Sequence, residues 1–373
     1  MVVGWHRPTR LQIDTQAITE NVQNERKQLP HGTALFAVVK ADGYGHGAVA
    51  TAHAAKRGGA SGFCVALLDE ALELRAAGFT DPILILGVVE LTDVALLVEY
   101  DLAVAVATQT WLESAIAQLS TLQVQQPLKV HIKVDTGMGR IGFLTPEEVQ
   151  QAVATIQAAP QLLWEGIFTH FATADQPDTA YFEQQRRRFQ AVLSQLSDKP
   201  RYVHVSNSAT AIWHATDNGN LIRLGIAMYG LNPSGTALAP SYPLKPALSL
   251  RSELVQVKQL PAGYGIGYGN TYTTSKAEWI GTIPIGYADG WLRKMQGFYV
   301  LVNGKKCEIV GRVCMDQCMI RLPEKTAVGT KVTLIGKDGD EEITLQMVAD
   351  QLQTIHYEVA CTFSQRIPRE YKK

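Results

Sequence analysis

The chain has 373 residues, with 34 basic and 35 acidic side chains and a formal net charge of −1. Charge so balanced offers no basic surface for nucleic acid or an anionic membrane, and no apolar run nears the roughly 20 residues that cross a bilayer. The five cysteines are scattered without a C-x-x-C pair, so neither metal nor a disulfide framework is expected. Reduced thiols, and no basic-plus-apolar leader at the start, point to a cytoplasmic location.

In chain order, residues 16–29 have helical spacing and Pro30 stops them. Residues 35–40 read as a first strand buried on both faces, because five apolar residues run unbroken into Lys40 and a glycine-rich turn. An alanine-rich helix over 48–57 follows, closed by Gly58 and Gly59. Strands at 63–66, 83–86 and 102–107 then alternate with helices at 67–77, 92–100 and 110–119. A strand at 128–134 leads to a helix at 146–158, opened by Pro146. A strand at 164–169, a polar helix at 179–196, a strand at 202–205, a short helix at 208–214 and a strand at 221–224 complete the series.

Strands alternating with helices argue for parallel βα units. Eight of them in about 230 residues match a (β/α)8 TIM-like barrel. A doubly wound open sheet is the alternative fold, favoured if the second and fourth units fail to pair. Pro233, Pro240, Pro243 and Pro246 then crowd one stretch, which suits neither a helix nor a sheet interior. The expected domains are residues 1–240, the barrel, and 241–373, a mostly β domain. The latter has strands near 248–260, 279–285, 298–302, 306–310, 317–321 and 331–335, a hairpin turn at Asn303-Gly304, and helix only at 345–352.

In such a barrel the reacting groups sit at the carboxyl ends of the strands. The chain places Lys40, the run 133–140, His170, Asn207 with Ser208, and Arg223 with Gly225 at those positions. A lysine at the mouth of an apolar core is partly desolvated, which favours the free amine and suits covalent capture of an aldehyde cofactor. The segment KVDTGMGR at 133–140 is too polar for core and too glycine-rich for helix, and the planar fork of Arg140 suits an anionic oxygen. Loops after the last two strands offer amides and hydroxyls to a phosphate. Residues 263–272 are glycine-rich but lack G-x-G-x-x-G spacing and precede no helix, which argues against a dinucleotide loop.

The segments VVKADGYGHG (38–47), KVDTGMGR (133–140), HVSNSA (204–209) and RLGIAMYG (223–230) closely resemble alanine racemases. So do GYGIGYGNTY (263–272), IPIGYADG (283–290) and GRVCMDQ (311–317), in family order across essentially the whole chain. The resemblance implies pyridoxal 5'-phosphate held by Lys40, with Tyr44, Arg140, His170, His204, Asn207, Ser208, Arg223, Gly225, Ile226 and Tyr357 around it. It implies two catalytic residues on opposite faces of the substrate, Lys40 acting on D-alanine and Tyr268 on L-alanine. Lys133 would be carbamylated and fix Arg140, which would meet the substrate carboxylate; Met315 and Tyr287 would complete the substrate site. Tyr268, Tyr287 and Met315 would enter from a partner subunit, giving a homodimer with shared active sites. The implied activity is interconversion of L- and D-alanine, supplying D-alanine for peptidoglycan.

A bare tyrosine titrates near pH 10 and needs a neighbour to act as a base near neutrality; in the family that neighbour is a histidine bonded to an arginine, here His170 and Arg223. Arg223, a permanent donor, would face the pyridine nitrogen where decarboxylating relatives carry a carboxylate, which argues against a decarboxylase. A broad-specificity or serine racemase and a non-catalytic carrier of the cofactor are the alternatives. The bulk of Tyr287 and Tyr357 favours alanine over larger side chains, and the β domain carrying Tyr268 argues against the carrier.

Overall fold

The computed structural model describes residues 2–122, 126–214 and 219–372. They form two compact units, one of Ala17–Gly43 and Ala48–Lys245, the other of Met1–Gln16, Tyr44–Gly47 and Pro246–Lys373.

The first unit is an eight-stranded parallel barrel built from Ala34–Val38, Gly62–Val65, Ile83–Ile85, Ala103–Val106, Leu128–Lys133, Leu162–Phe168, Tyr202–His204 and Leu221–Leu224. The first strand pairs in parallel with the last. Between the seventh and eighth, main-chain bonds among the described residues run from Asn220 N–H to Val203 O at 3.0 Å and from Arg223 N–H to Ser206 O at 2.9 Å, so the barrel is nearly closed. The second and fourth strands pair on both sides, which excludes the open doubly wound sheet. Gly62–Val65 and Ala103–Val106 are buried throughout, as parallel strands covered on both faces must be.

The helices start where the sequence places their signals. Thr145 Oγ1 accepts from the Glu148 amide, Glu148 accepts in return from the Thr145 amide, and Pro146 occupies the first turn of Pro146–Ala158. That helix buries Val149, Ala152, Val153 and Ile156, one stripe at helical spacing.

The barrel interior departs from the branched aliphatic layers usual in such barrels. His131, Lys133, His204 and Arg223 are each no more than 3% exposed. The first strand also ends at Val38 rather than 40. Lys40 begins a turn in which Ala41, Asp42, Gly43 and Tyr44 all adopt left-handed φ, between 52° and 59°. For residues other than glycine this costs about 1–2 kcal/mol each, so neighbours must hold the turn. The Gly43 amide donates to Val39 O at 2.8 Å, the Ala48 amide to Asp42 Oδ1 at 3.0 Å, and the Ala41 amide to Glu70 Oε1 at 2.6 Å.

The second unit contains a mixed sheet in the order Lys305–Glu308, Tyr299–Val302, Lys331–Asp338, Leu248–Glu253, Arg10–Asp14, Arg369–Lys372. Arg10–Asp14 has no counterpart in the elements expected from sequence. It buries only Leu11 and Ile13, too short an alternation to stand out, yet it pairs antiparallel with Leu248–Glu253 and parallel with Arg369–Lys372. Residues 1–16 therefore lie in this unit, whereas a split at 240/241 assigns them to the barrel. The hairpin at Asn303-Gly304 forms with φ of 51° and 71°, the signs a tight two-residue turn requires. The expected strand at 248–260 is two, because Gln256–Leu260 joins a separate sheet with Glu278–Ile283 and Cys318–Leu322. A second helix, His356–Thr362, forms where none was expected; it buries only His356, Val359 and Ala360, too small a stripe to read.

Candidate active site

Every candidate residue of the barrel lies at or beyond the carboxyl end of a strand, or points into the interior. Lys40 follows the first strand, and its charge reaches both Cys64 and His170. Lys133 closes the fifth strand almost fully buried, its Nζ donating to Val134 O at 2.8 Å and Ile141 O at 3.2 Å. Burial pulls its amine down to about 8, and the charges of Arg223 and Arg140 act in the same direction against Asp135.

Asp135 shapes the loop that carries Arg140. Its carboxylate accepts the amides of Gly137, Gly139 and Arg140 at 2.9, 3.1 and 3.0 Å. Burial opposes ionisation, but these bonds and the charge of Lys133 hold the Asp135 carboxyl below its ordinary range. Sequence reasoning gave Asp135 no role, although an aspartate ahead of two glycines is a signal for a turn closed by its side chain.

Arg223 occupies the centre. Its Nη1 lies 2.7 Å from His204 Nδ1; its Nη2 donates to Thr169 O at 3.0 Å and Val205 O at 3.2 Å, and lies 3.4 Å from His170 Nδ1. A guanidinium only donates, so both imidazoles present a bare Nδ1 to it and carry their proton on Nε2. The Phe168 ring stacks on His204 at 4.7 Å, with the Arg223 guanidinium 5.3 Å and the Lys133 amine 5.7 Å from its centre. Burial draws Arg223 down to about 10. Burial, then Arg223, Arg140, Lys133 and Lys40 in turn, push His170 well below its usual range, so it is neutral near pH 7.

Asn207 caps the helix Ser208–Trp213, its Oδ1 accepting from the Thr210 amide at 2.9 Å. Ser208 Oγ accepts the amides of Gly225 and Ala227 at 2.9 and 3.3 Å, which gathers hydroxyl and amides where a phosphate was expected. Ile226 opens the short turn Ile226–Tyr229.

Two families match, the alanine racemase N-terminal domain over residues 13–233 and the alanine racemase C-terminal domain over 247–371. The chain belongs to the alanine racemase family. The alanine racemase of Levilactobacillus brevis is 59% identical over 372 residues, covering 100% of both chains. The crystal structure of alanine racemase from E. faecalis superposes with a TM-score of 0.98 at 73% identity, covering 100% of each chain. A histidine racemase from Leuconostoc mesenteroides has the same fold at a TM-score of 0.94 and 34% identity, again over 100% of each chain, so this architecture does not fix the side chain acted upon.

The remaining residues suggested by the alanine racemase resemblance lie in the second unit. Tyr268 opens a short turn, Tyr268–Asn270, and is 69% exposed; Met315 and Tyr287 are 53% and 39% exposed. The Tyr44 and Tyr357 rings lie 6.3 Å apart. Among the described residues no group of three or more His, Cys, Asp or Glu could hold a metal.

Three further residues escaped the sequence reading. Glu70 holds the turn after Lys40 and also accepts the amides of Ala66 and Leu67 at 2.7 and 3.1 Å. His131 and Glu165 lie inside the barrel. Their signal was available: a histidine and a glutamate inside buried parallel strands each need a partner.

Proposed function

We propose that this chain interconverts L- and D-alanine with pyridoxal 5'-phosphate as cofactor, as a cytoplasmic homodimer whose D-alanine serves peptidoglycan synthesis. The observation that carries the reading is the buried Arg223, its Nη2 3.4 Å from His170 Nδ1 at one end of the barrel, with the charges of Lys40 and Arg140 acting on the same imidazole. Such a site calls for an anion. A phosphate fits at the Ser208 hydroxyl beside Gly225 and Ile226, where Ser208 Oγ gathers the Gly225 and Ala227 amides, and Ser206, two residues earlier, has a fully buried Oγ with no hydrogen-bond partner among the described residues. Arg223 fits a neutral pyridine nitrogen, since it can donate to one but not take its proton.

When bound, the cofactor supplies the electron sink that makes the α-proton of the amino acid acidic. Lys40 then takes or returns that proton on the face used by D-alanine. Tyr268 from the partner copy serves the opposite face, and its exposure in the single chain suits a residue lent to a neighbour. His170 keeps a bare Nδ1 toward Arg223 and so offers its Nε2–H to the phenol oxygen, easing loss of the phenol proton. Arg140 binds the substrate carboxylate, oriented by the loop that Asp135 folds and by Lys133 as its carbamate. Met315 and Tyr287 bound the side-chain space, and Tyr44 and Tyr357 complete the cofactor site.

The test is L-alanine in deuterated water with the cofactor-loaded protein, read by chiral analysis and mass spectrometry. D-alanine carrying solvent deuterium at the α-carbon is expected. Parallel reactions with serine and histidine define breadth; no racemisation of alanine, or faster racemisation of either other amino acid, refutes the proposal.

A further inference from the structure

Two buried polar residues, His131 and Glu165, have no part in the reaction described above. They extend the Arg223 cluster into a continuous line. Arg223 Nη1 is 2.7 Å from His204 Nδ1, His204 Nε2 is 2.9 Å from His131 Nδ1, and His131 Nε2 is 3.0 Å from Glu165 Oε2. The donors along this line are determined by chemistry. Arg223 cannot accept, so His204 Nδ1 must. A neutral imidazole has one N–H, so His204 donates through Nε2 to His131 Nδ1, and His131 donates through Nε2 to the carboxylate. Burial keeps both histidines neutral, aided at His204 by the charge of Arg223. Burial acts against ionisation of Glu165, but its bond to His131 and the charges of Lys129 and Arg201 hold it below its ordinary range.

The backbone is arranged to make this line. Val130 pairs with Trp164 but His131 pairs with Gly166, so Glu165 is an extra residue, a bulge in the sixth strand. Bulges re-aim a side chain, and here Glu165 and Gly166, adjacent in sequence, both address His131. A Cβ on Gly166 would lie 2.2 Å from His131 Nδ1, so only glycine leaves room for the ring. The ring also stacks near Tyr202, with centroids 6.1 Å apart at 25°.

We propose that His131 and Glu165 are positioning residues of the racemase site: they lock His204 as its Nε2–H tautomer, whose bare Nδ1 holds Arg223 in place. The proposal rests on the racemase reading of Arg223. If His131 took the other tautomer, His204 would point an N–H at the guanidinium N–H. Two donors cannot stay 2.7 Å apart. Arg223 would turn away, and its alignment on His170 would go with it.

The test combines 15N NMR of histidine-labelled protein, with and without pyridoxal phosphate, and steady-state kinetics of wild type, Glu165→Leu and Glu165→Gln. Wild type should show His131 and His204 as Nε2–H tautomers in both states. Glu165→Leu should mix the tautomers and lower kcat about tenfold or more with KM within about twofold. Glu165→Gln keeps an acceptor oxygen and should restore the Nε2–H spectrum and most of kcat. An Nδ1–H tautomer at either histidine in wild type overturns the proposal, and that measurement decides if Glu165→Leu does not fold. A folded Glu165→Leu with wild-type tautomers and kcat overturns it as well. Wild type with the expected tautomers but no racemase activity removes the reaction these residues would serve, and so separates failure of the functional reading from failure of the relay.

Discussion

Lys133 offers a quantitative handle on the site. Its folded pKa is about 8 against an ordinary 10.5, chiefly because it is buried. A lysine whose folded pKa lies below its unfolded value binds fewer protons when folded between those two values. Stability must then rise with pH across that interval. The gap corresponds to about 3 kcal/mol, absent below pH 8 and fully gained near pH 10.5. Lys133→Met keeps the chain length and removes the titration. The stability difference between wild type and Lys133→Met, from urea melts in carbonate-free buffer at intervals from pH 7 to 10.5, should move in favour of wild type by about 3 kcal/mol. Other titrating groups cancel in the difference. At pH 7.5 roughly a quarter of an amine with a pKa near 8 is unprotonated, hundreds of times more than at 10.5, which is what capture of carbon dioxide requires. Added bicarbonate should therefore stabilise wild type and not Lys133→Met near neutrality. A difference that stays flat across the whole range would refute the burial argument, and with it the physical basis for the carbamate.

Tyr268→Phe should slow deuterium exchange from L-alanine far more than from D-alanine; equal small losses in both directions would remove Tyr268 from the base role. Asp289 is fully buried and takes Arg7 through two bonds of 2.8 and 2.5 Å, with Arg366 at 3.5 Å, so Asp289→Asn should cost about 3–5 kcal/mol in urea melts. Glu70→Ala frees the Ala41 amide and loosens the left-handed turn after Lys40, so kcat should fall while the melting temperature moves by only a few degrees. A kcat unchanged within error would show that the turn holds without Glu70.

The barrel was legible because its strands are short, wholly apolar and punctuated by glycine and proline, while its helices carry their own start signals, as at Thr145-Pro146. Positions at the carboxyl ends of those strands followed from the architecture, and the motif resemblance singled out Lys40, His170, Ser208 and Arg223 among them. What escaped depends on contacts far apart in sequence. Arg10–Asp14 becomes a strand only because Leu248–Glu253 and Arg369–Lys372 flank it. Glu70 reads as an ordinary first-turn acid of a helix until the Ala41 amide, 29 positions away, is seen to bind it. The bulge at Glu165 is a matter of register, and a single strand carries no record of its neighbour's register.

The cations Lys40, Arg140 and Arg223 that act together on His170 bear on the chain's behaviour before it ever meets a substrate. An empty barrel must hold these like charges together, so its folding is weakened by their mutual repulsion. An anionic guest that binds only the folded form relieves it and adds its own linkage, about 2.7 kcal/mol at a hundred times its dissociation constant. Resistance to heat should thus serve as a gauge of how much of the protein is loaded with such a guest, and the unloaded pool would be the more fragile and faster-degraded one.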